Sequence, residues 1–347
     1  MSEIKMKIGN REVGDSQPCF VIAEIGSNHN QSLDLAFEHI DAAADAGVDA
    51  VKFQTFRAAQ HYSKLAPGFS YLDDPNTYAL IESLELNRKW HVALKARAES
   101  KGVEFFSSPC DTEAINDLAR LNVCAYKVAS FDLTDVRLIR EMAIKNKPVI
   151  LSTGLADLAD VQAGVNACRD AGNNDIVLLQ CTSLYPAPVN LSNLAAMQVM
   201  RNGFGVLTGY SDHTLGDHVS LAAISLGACM LEKHFTLNRN LPGPDHIFAM
   251  EPHEFKEMMR KIRDTEAAIG DGIKNGPRPD EREMFEKGRR SLHAARTIRS
   301  GEQISEKDLV TKRPGLGISP RLLDQVVGRT ANRDIAEDQW IMWEFLG

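Results

Sequence analysis

Eight short runs rich in Val, Ile, Phe and Leu recur along the chain, at 19–26, 50–56, 103–109, 125–130, 148–154, 175–182, 206–212 and 230–235. Near-continuous apolar character is what strands buried on both faces of a parallel sheet require. Between them lie amphipathic stretches with helical spacing. In 33–47, Leu35, Ile40, Ala43 and Ala44 can share an inward face and Gly47 suits a C-cap. The segments around Trp90 to Glu99, 140–147, 158–172 and 216–228 repeat the theme. Strand and helix alternating eight times describes a barrel or a doubly wound sheet. Roughly equal repeats without a Gly-rich dinucleotide fingerprint favour the α/β class in its (β/α)8 TIM-barrel form.

Three segments break the alternation. An insertion at 57–88 carries Tyr62, Tyr71, Tyr78, Pro67 and Pro75, and in a barrel it falls on the side where loops shape a site. Residues 253–270 read as a closing helix, so the barrel domain spans 1–270. A polar linker rich in Pro and Gly is expected at 271–288, and a small C-terminal α+β module at 289–347.

Composition narrows the function. With 44% hydrophobic and 25% charged residues, the 347-residue chain is ordinary for a soluble enzyme. A net charge of −8 argues against nucleic acid as a partner, yet leaves room for a local cationic pocket. No apolar run approaches bilayer length, and the N-terminus lacks the apolar core of a secretory signal, so no membrane partner is expected. Cys19, Cys110, Cys124, Cys168, Cys181 and Cys229 have no paired spacing, which favours free thiols in a reducing cytoplasm.

Chemistry gathers at the strand ends. In a TIM barrel the C-terminal ends of the strands form the active face. Alternation puts Glu232 with His234, Ser211 with His213, Lys52 with Gln54, and Cys181 with Ser183 and, if that strand continues, Tyr185. His213 and His234 end adjacent strands and are candidate ligands for one divalent metal such as Mn²⁺, Fe²⁺, Co²⁺ or Zn²⁺. Lys52 and Lys127 lie among apolar neighbours. Each either pairs with a barrel carboxylate or joins Ser108, Ser130, Ser152 and Ser183 in an anion site; a Schiff-base lysine is a further option. The stiff loop LPGPDH (241–246) either presents Asp245 over the site or is simply a good turn.

Ten segments in order resemble the sialic acid synthase family, which includes N-acetylneuraminate, legionaminate and pseudaminate synthases. They are VIAEIGSNHNQ (21–31), DAVKFQTF (49–56), FFSSPCD (105–111), YKVASFD (126–132), KPVILSTG (147–154), LLQCTSLYPAP (178–188), GYSDHTLG (209–216), LEKHFT (231–236), PGPDH (242–246) and KRPGLGISP (312–320). The resemblance implies metal-dependent condensation of phosphoenolpyruvate with an N-acylated amino sugar, releasing phosphate. It implies Mn²⁺, or else Mg²⁺ or Co²⁺, on His213 and His234. Lys52, Gln54, Ser108, Lys127, Ser130, Ser152, Ser183 and Ser211 then hold phosphoenolpyruvate. Glu24, Asp132, Tyr185 and Asp245 meet the amino sugar, with Glu24 as acid/base catalyst and Glu232 aimed at the same cavity.

The C-terminal module resembles the antifreeze-like SAF domain of the family. That likeness implies a domain-swapped homodimer in which Arg313 reaches the sugar's N-acyl group in the other subunit. Two departures bear on the acceptor. Asp132 follows an aromatic residue, as in pseudaminate synthases, while PGPDH is more like the neuraminate and legionaminate branches, and Ser183 replaces an asparagine of some neuraminate enzymes. N-acetylneuraminate synthesis from an N-acetylmannosamine-type sugar is the first expectation. Pseudaminate or legionaminate synthesis from a diamino-dideoxy hexose is the second. A sugar-binding barrel of polysaccharide biosynthesis that has lost catalysis is the reading from a different class.

Overall fold

The structure is a computed structural model that describes residues 3–68 and 76–347, so Tyr71 and Pro75 of the expected insertion lie outside the described residues. The chain divides into two compact units, Met1–Gly270 and Asp271–Gly347. The first opens with an antiparallel hairpin of β1 (Lys5–Ile8) and β2 (Arg11–Gly14). Eight parallel strands follow: β3 (Phe20–Gly26), β4 (Ala50–Thr55), β5 (Glu104–Pro109), β6 (Tyr126–Val128), β7 (Val149–Ser152), β8 (Ile176–Cys181), β9 (Leu207–Asp212) and β10 (Met230–His234). They close in sequence order, with β10 pairing β3, into the TIM barrel that the apolar runs predict.

Each strand lies inside its expected run. The fourth is shorter than expected, because the chain turns into a 3-10 helix at Ser130–Asp132. Helices alternate with the strands, and one buried apolar cluster joins the two layers. The helix expected at 140–147 runs instead over Val136–Ala143, since the Asp135 side chain caps it by accepting from the amides of Arg137 and Leu138. Two further helices, Thr112–Arg120 and Ala195–Phe204, complete the layer. The closing helix spans Pro252–Ile269.

The N-terminal hairpin was not anticipated. Its Ile8 and Val13 are fully buried, and Arg11 pairs with Asp49, which precedes β4, at 3.0 Å. It therefore packs at the end of the barrel where strands begin, opposite the polar ends.

In the second unit β11 (Ser291–Ala294) pairs antiparallel with β12 (Leu309–Lys312) over a small core that includes Leu292, Ile304, Val326, Ile335 and Phe345. Half of the stretch read as a linker is ordered structure: a 3-10 turn at Pro279–Glu281 and a helix at Arg282–Gly288, whose Glu286 carbonyl accepts from the Gly315 amide at 2.8 Å. All six cysteines are free. Among the described residues no helix is long and apolar enough to cross a membrane.

Candidate active site

Two buried lysines and two buried carboxylates fill the barrel near the strand ends. Lys52 on β4 and Glu24 on β3 are register partners, and their side chains form an ion pair at 2.7 Å. Lys52 also donates to Ser108 Oγ at 3.1 Å. Lys127 on β6 donates to Ser152 Oγ at 2.6 Å and to the Val128 carbonyl at 3.1 Å. Glu232 Oε1 lies 3.7 Å from both ammonium groups and accepts from Ser211 Oγ at 3.4 Å. Gln54 donates to the other oxygen of Glu24 at 2.8 Å. The lysines pair with barrel carboxylates, and they line one pocket together with Ser108, Ser130, Ser152 and Ser211.

Beside them is a cradle that only glycine leaves open. A Cβ on Gly154 would stand 2.3 Å from Ser183 Oγ and 2.8 Å from Ser130 Oγ. The Gly154 amide donates to Ser130 Oγ at 3.0 Å, while Ser183 Oγ is buried without a hydrogen-bond partner. An orphaned buried hydroxyl costs free energy unless a ligand satisfies it, so the cradle suits an acceptor-rich anion. Strand alternation does not explain these serines. The strands stop at Val128 and Cys181, and Ser130, Ser183 and Tyr185 are carried by the turns that follow.

His213 and His234 do meet, with ring centroids 5.3 Å apart. His213 follows β9 directly, and its Nδ1 donates to the Thr182 carbonyl at 2.8 Å. His234 Nδ1 is buried without a hydrogen-bond partner, 3.7 Å from Asp245 Oδ2. Tyr185 lies tilted against His213 with ring centroids 4.3 Å apart, and Phe248 packs edge-on to His234 at 4.9 Å. Two imidazoles, one with an orphaned nitrogen, and a nearby carboxylate are the donor types that a divalent ion takes, although the three do not converge as closely as a filled site requires.

Burial and charge push the two glutamates in opposite directions. Burial raises the Glu24 carboxyl above its ordinary range despite Lys52. Burial acts on Glu232 too, but the charges of Lys127 and Lys52 outweigh it and hold that carboxylate low. Burial, with the Glu24 charge behind it, brings Asp245 up to about 6. Burial and the neighbouring His213 keep His234 well below the usual imidazole range, so it stays neutral and able to ligate. Groups pushed apart in this way mark an acid and a base.

Above this centre is a cavity of about 750 Å³, lined in part by Gln54, Tyr185, His234 and Asp245. Asp132 also lines it and meets His61 and Cys110 there, two loop residues that no strand periodicity marks as part of a site. Arg313 belongs to the second unit, where it is exposed and its Nε donates to the Gly288 carbonyl at 2.6 Å. The other expected site residues are on the barrel, and all but Ser183, which lies beside Gly154, line one or both of two pockets that share Gln54, Ser108, Tyr185 and His234.

A closed TIM barrel with ionisable groups buried at its strand ends, followed by a small β-rich module, defines the class of the protein. The NeuB family model matches residues 39–274 and the SAF domain model residues 289–347, so the chain belongs to the NeuB family and ends in a SAF domain. It is 39% identical to the N,N'-diacetyllegionaminic acid synthase of Legionella pneumophila, over 97% of each chain. It is 37% identical to the pseudaminic acid synthase of Helicobacter pylori, over 91% of this chain and 94% of that one. The N-acetylneuraminic acid (sialic acid) synthetase of Leptospira borgpetersenii, crystallised with citrate, matches with a TM-score of 0.74 and 31% identity over 82% of this chain and 96% of that chain.

Proposed function

We propose that the protein is a nonulosonic acid synthase that joins phosphoenolpyruvate to an open-chain N-acylated amino sugar and releases phosphate. One observation carries the reading: two buried lysines and two oppositely shifted carboxylates lie beside a glycine-lined cradle, in a NeuB-family barrel. The phosphate and carboxylate of phosphoenolpyruvate meet Lys52, Lys127 and the hydroxyls of Ser108, Ser130, Ser152, Ser183 and Ser211, with Gln54 at the edge. The amino sugar takes the larger cavity, against Tyr185, Asp132 and Asp245.

The bond forms between C3 of phosphoenolpyruvate and the sugar aldehyde carbon. Glu24, whose proton burial makes harder to lose than an ordinary carboxyl's, is the group placed to protonate the aldehyde oxygen as negative charge develops there. Glu232, held anionic by the lysines, takes a proton from the water that adds at C2. The C–O bond to phosphate then breaks, and the lysines compensate the departing charge. His213 and His234 would hold a divalent ion, Mn²⁺ first among candidates, with Mg²⁺ or Co²⁺ as substitutes. When bound, that ion supplies Lewis-acid polarisation of the aldehyde.

For the acceptor, the relatives named above shift the weight. Identity to the legionaminic and pseudaminic acid synthases exceeds that to the Leptospira enzyme, which favours a diamino-dideoxy hexose over N-acetylmannosamine. The PGPDH loop that carries Asp245 favours the legionaminate branch within that class. The proposal includes a domain-swapped homodimer with Arg313 acting across it. It also includes a cytoplasmic setting, which six unpaired thiols support.

The test is phosphate release from phosphoenolpyruvate with Mn²⁺, run across a panel of N-acetylmannosamine and diamino-dideoxy hexoses. Release with a diacetamido sugar alone supports the legionaminate or pseudaminate branch, and release with N-acetylmannosamine alone the neuraminate branch. No release with any acceptor, from protein shown to be folded, favours a sugar-binding barrel without catalysis.

A further inference from the structure

We propose a second divalent-cation site, of zinc type, formed by His61, Cys110 and Asp132 at the rim of the large cavity. These residues come from three separate loops at the C-terminal end of the barrel. His61 ends the short helix Ala58–His61 after β4, Cys110 directly follows β5, and Asp132 closes the 3-10 turn after β6. Their ligand atoms all lie within 4.8 Å of one another, the one such triad of His, Cys, Asp or Glu among the described residues.

The geometry is close to that of a bound ion. Cys110 Sγ is 3.5 Å from Asp132 Oδ2, and His61 Nδ1 is 3.9 Å from Asp132 Oδ1. Ligands about 2.0–2.3 Å from a tetrahedral zinc are separated by roughly 3.3–3.7 Å. The two contacts use different oxygens of Asp132 and the ligand atoms span up to 4.8 Å, so a shift of about 1 Å would bring the three to coordination distance. The imidazole is already oriented, stacked on Phe56 at 5.9 Å and edge-on to Tyr62 at 4.9 Å.

Donor chemistry names the ion. A thiolate with an imidazole and a carboxylate prefers zinc or cobalt to magnesium, which takes oxygen ligands. Ion binding displaces the thiol proton to solvent, so loading falls as the pH falls. Three protein ligands leave a fourth position, and all three residues line the cavity. That position is therefore open to water or to an oxygen of whatever occupies the cavity. The site shares no residue with the His213 and His234 pair.

Co²⁺ added to metal-free protein distinguishes the two centres without any turnover. The wild type is expected to show a near-ultraviolet thiolate-to-cobalt charge-transfer band that Zn²⁺ bleaches. Cys110→Ser should remove the band. Cys181→Ser should keep it, although Cys181 Sγ lies 3.8 Å from His213 Nδ1. His213→Ala should also keep it, while His61→Ala weakens cobalt binding at the band at least about tenfold. No thiolate band in folded wild type would overturn the site, as would a band that survives Cys110→Ser or one that disappears in Cys181→Ser. Because no step depends on catalysis, failure here leaves the synthase reading untouched, and failure of that reading leaves this site standing.

Discussion

Glu24 and Glu232 carry the same functional group and share Lys52, yet their surroundings push their proton affinities in opposite directions. Glu24 has one strong cation, Lys52, and burial outweighs it; Glu232 sits between two ammonium groups, and they outweigh burial. A general acid works only while protonated, so turnover should decline as pH rises through the raised Glu24 value. Glu24→Gln keeps the side chain's size but supplies no proton and gives up one of the two polar contacts that the carboxylate makes with Lys52 and Gln54. It should lower kcat by about 10²–10⁴-fold and flatten the alkaline limb of the kcat profile. An unchanged limb in that variant would reassign the acid. Gly154→Ala tests the cradle, because its methyl would press on Ser183 Oγ and Ser130 Oγ. The expected result is a KM for phosphoenolpyruvate raised at least about tenfold with melting temperature little changed, from one lost or strained charge-assisted contact. His213→Ala should cost at least about 100-fold in Mn²⁺-stimulated turnover, since it would remove one of two nitrogen ligands. Full activity with bound Mn²⁺ would remove His213 from the metal site.

At the scale of elements, what was legible followed from burial. Eight strands covered on both faces must be apolar throughout, so they stand out against amphipathic helices, and polar residues at their ends stand out in turn. Lys52, Lys127, Glu232 and both histidines were readable for that reason. The β1–β2 hairpin was not, because four-residue strands with one buried face leave too little pattern. The Val136–Ala143 helix was misplaced because Asp135, not the apolar spacing, sets its start. Nor could His61, Cys110 and Asp132 be grouped: loop residues meet only once the barrel fixes three strand ends side by side. The same elements store a pH dependence. His29 after β3, His39 in the helix Leu33–Asp45 and His91 at the start of the helix His91–Ser100 are each held to about 4, mainly by burial. Unfolded histidine titrates near 6.5, so below that the unfolded chain takes up protons that the folded chain refuses. The stabilisation is full above about 6.5 and is lost as pH falls toward 4, up to about 3 kcal/mol for each imidazole. Urea midpoints measured from pH 7 to pH 4 should fall, and His91→Asn should flatten part of that fall.

For the whole molecule, the proposed action of Arg313 across a homodimer is decided by mixing inactive variants. Glu24→Ala disables the barrel centre, and Arg313→Ala disables the proposed contact to the N-acyl group. In a swapped heterodimer of the two, one site combines both defects, while the other combines an intact barrel with an intact arginine from the Glu24→Ala chain. In an unswapped heterodimer each site carries one defect and neither is whole. Random reassortment makes about half of the dimers heterodimeric, so arginine acting in trans should restore about a quarter of wild-type activity. Subunit exchange is confirmed by two different affinity tags, and turnover is measured on the doubly tagged fraction, where recovery should rise to about half. No recovery in that fraction would place Arg313 in cis or outside the site. A KM for the acceptor raised in Arg313→Ala, with the KM for phosphoenolpyruvate unchanged, separates a contact to the sugar from a general loss of structure.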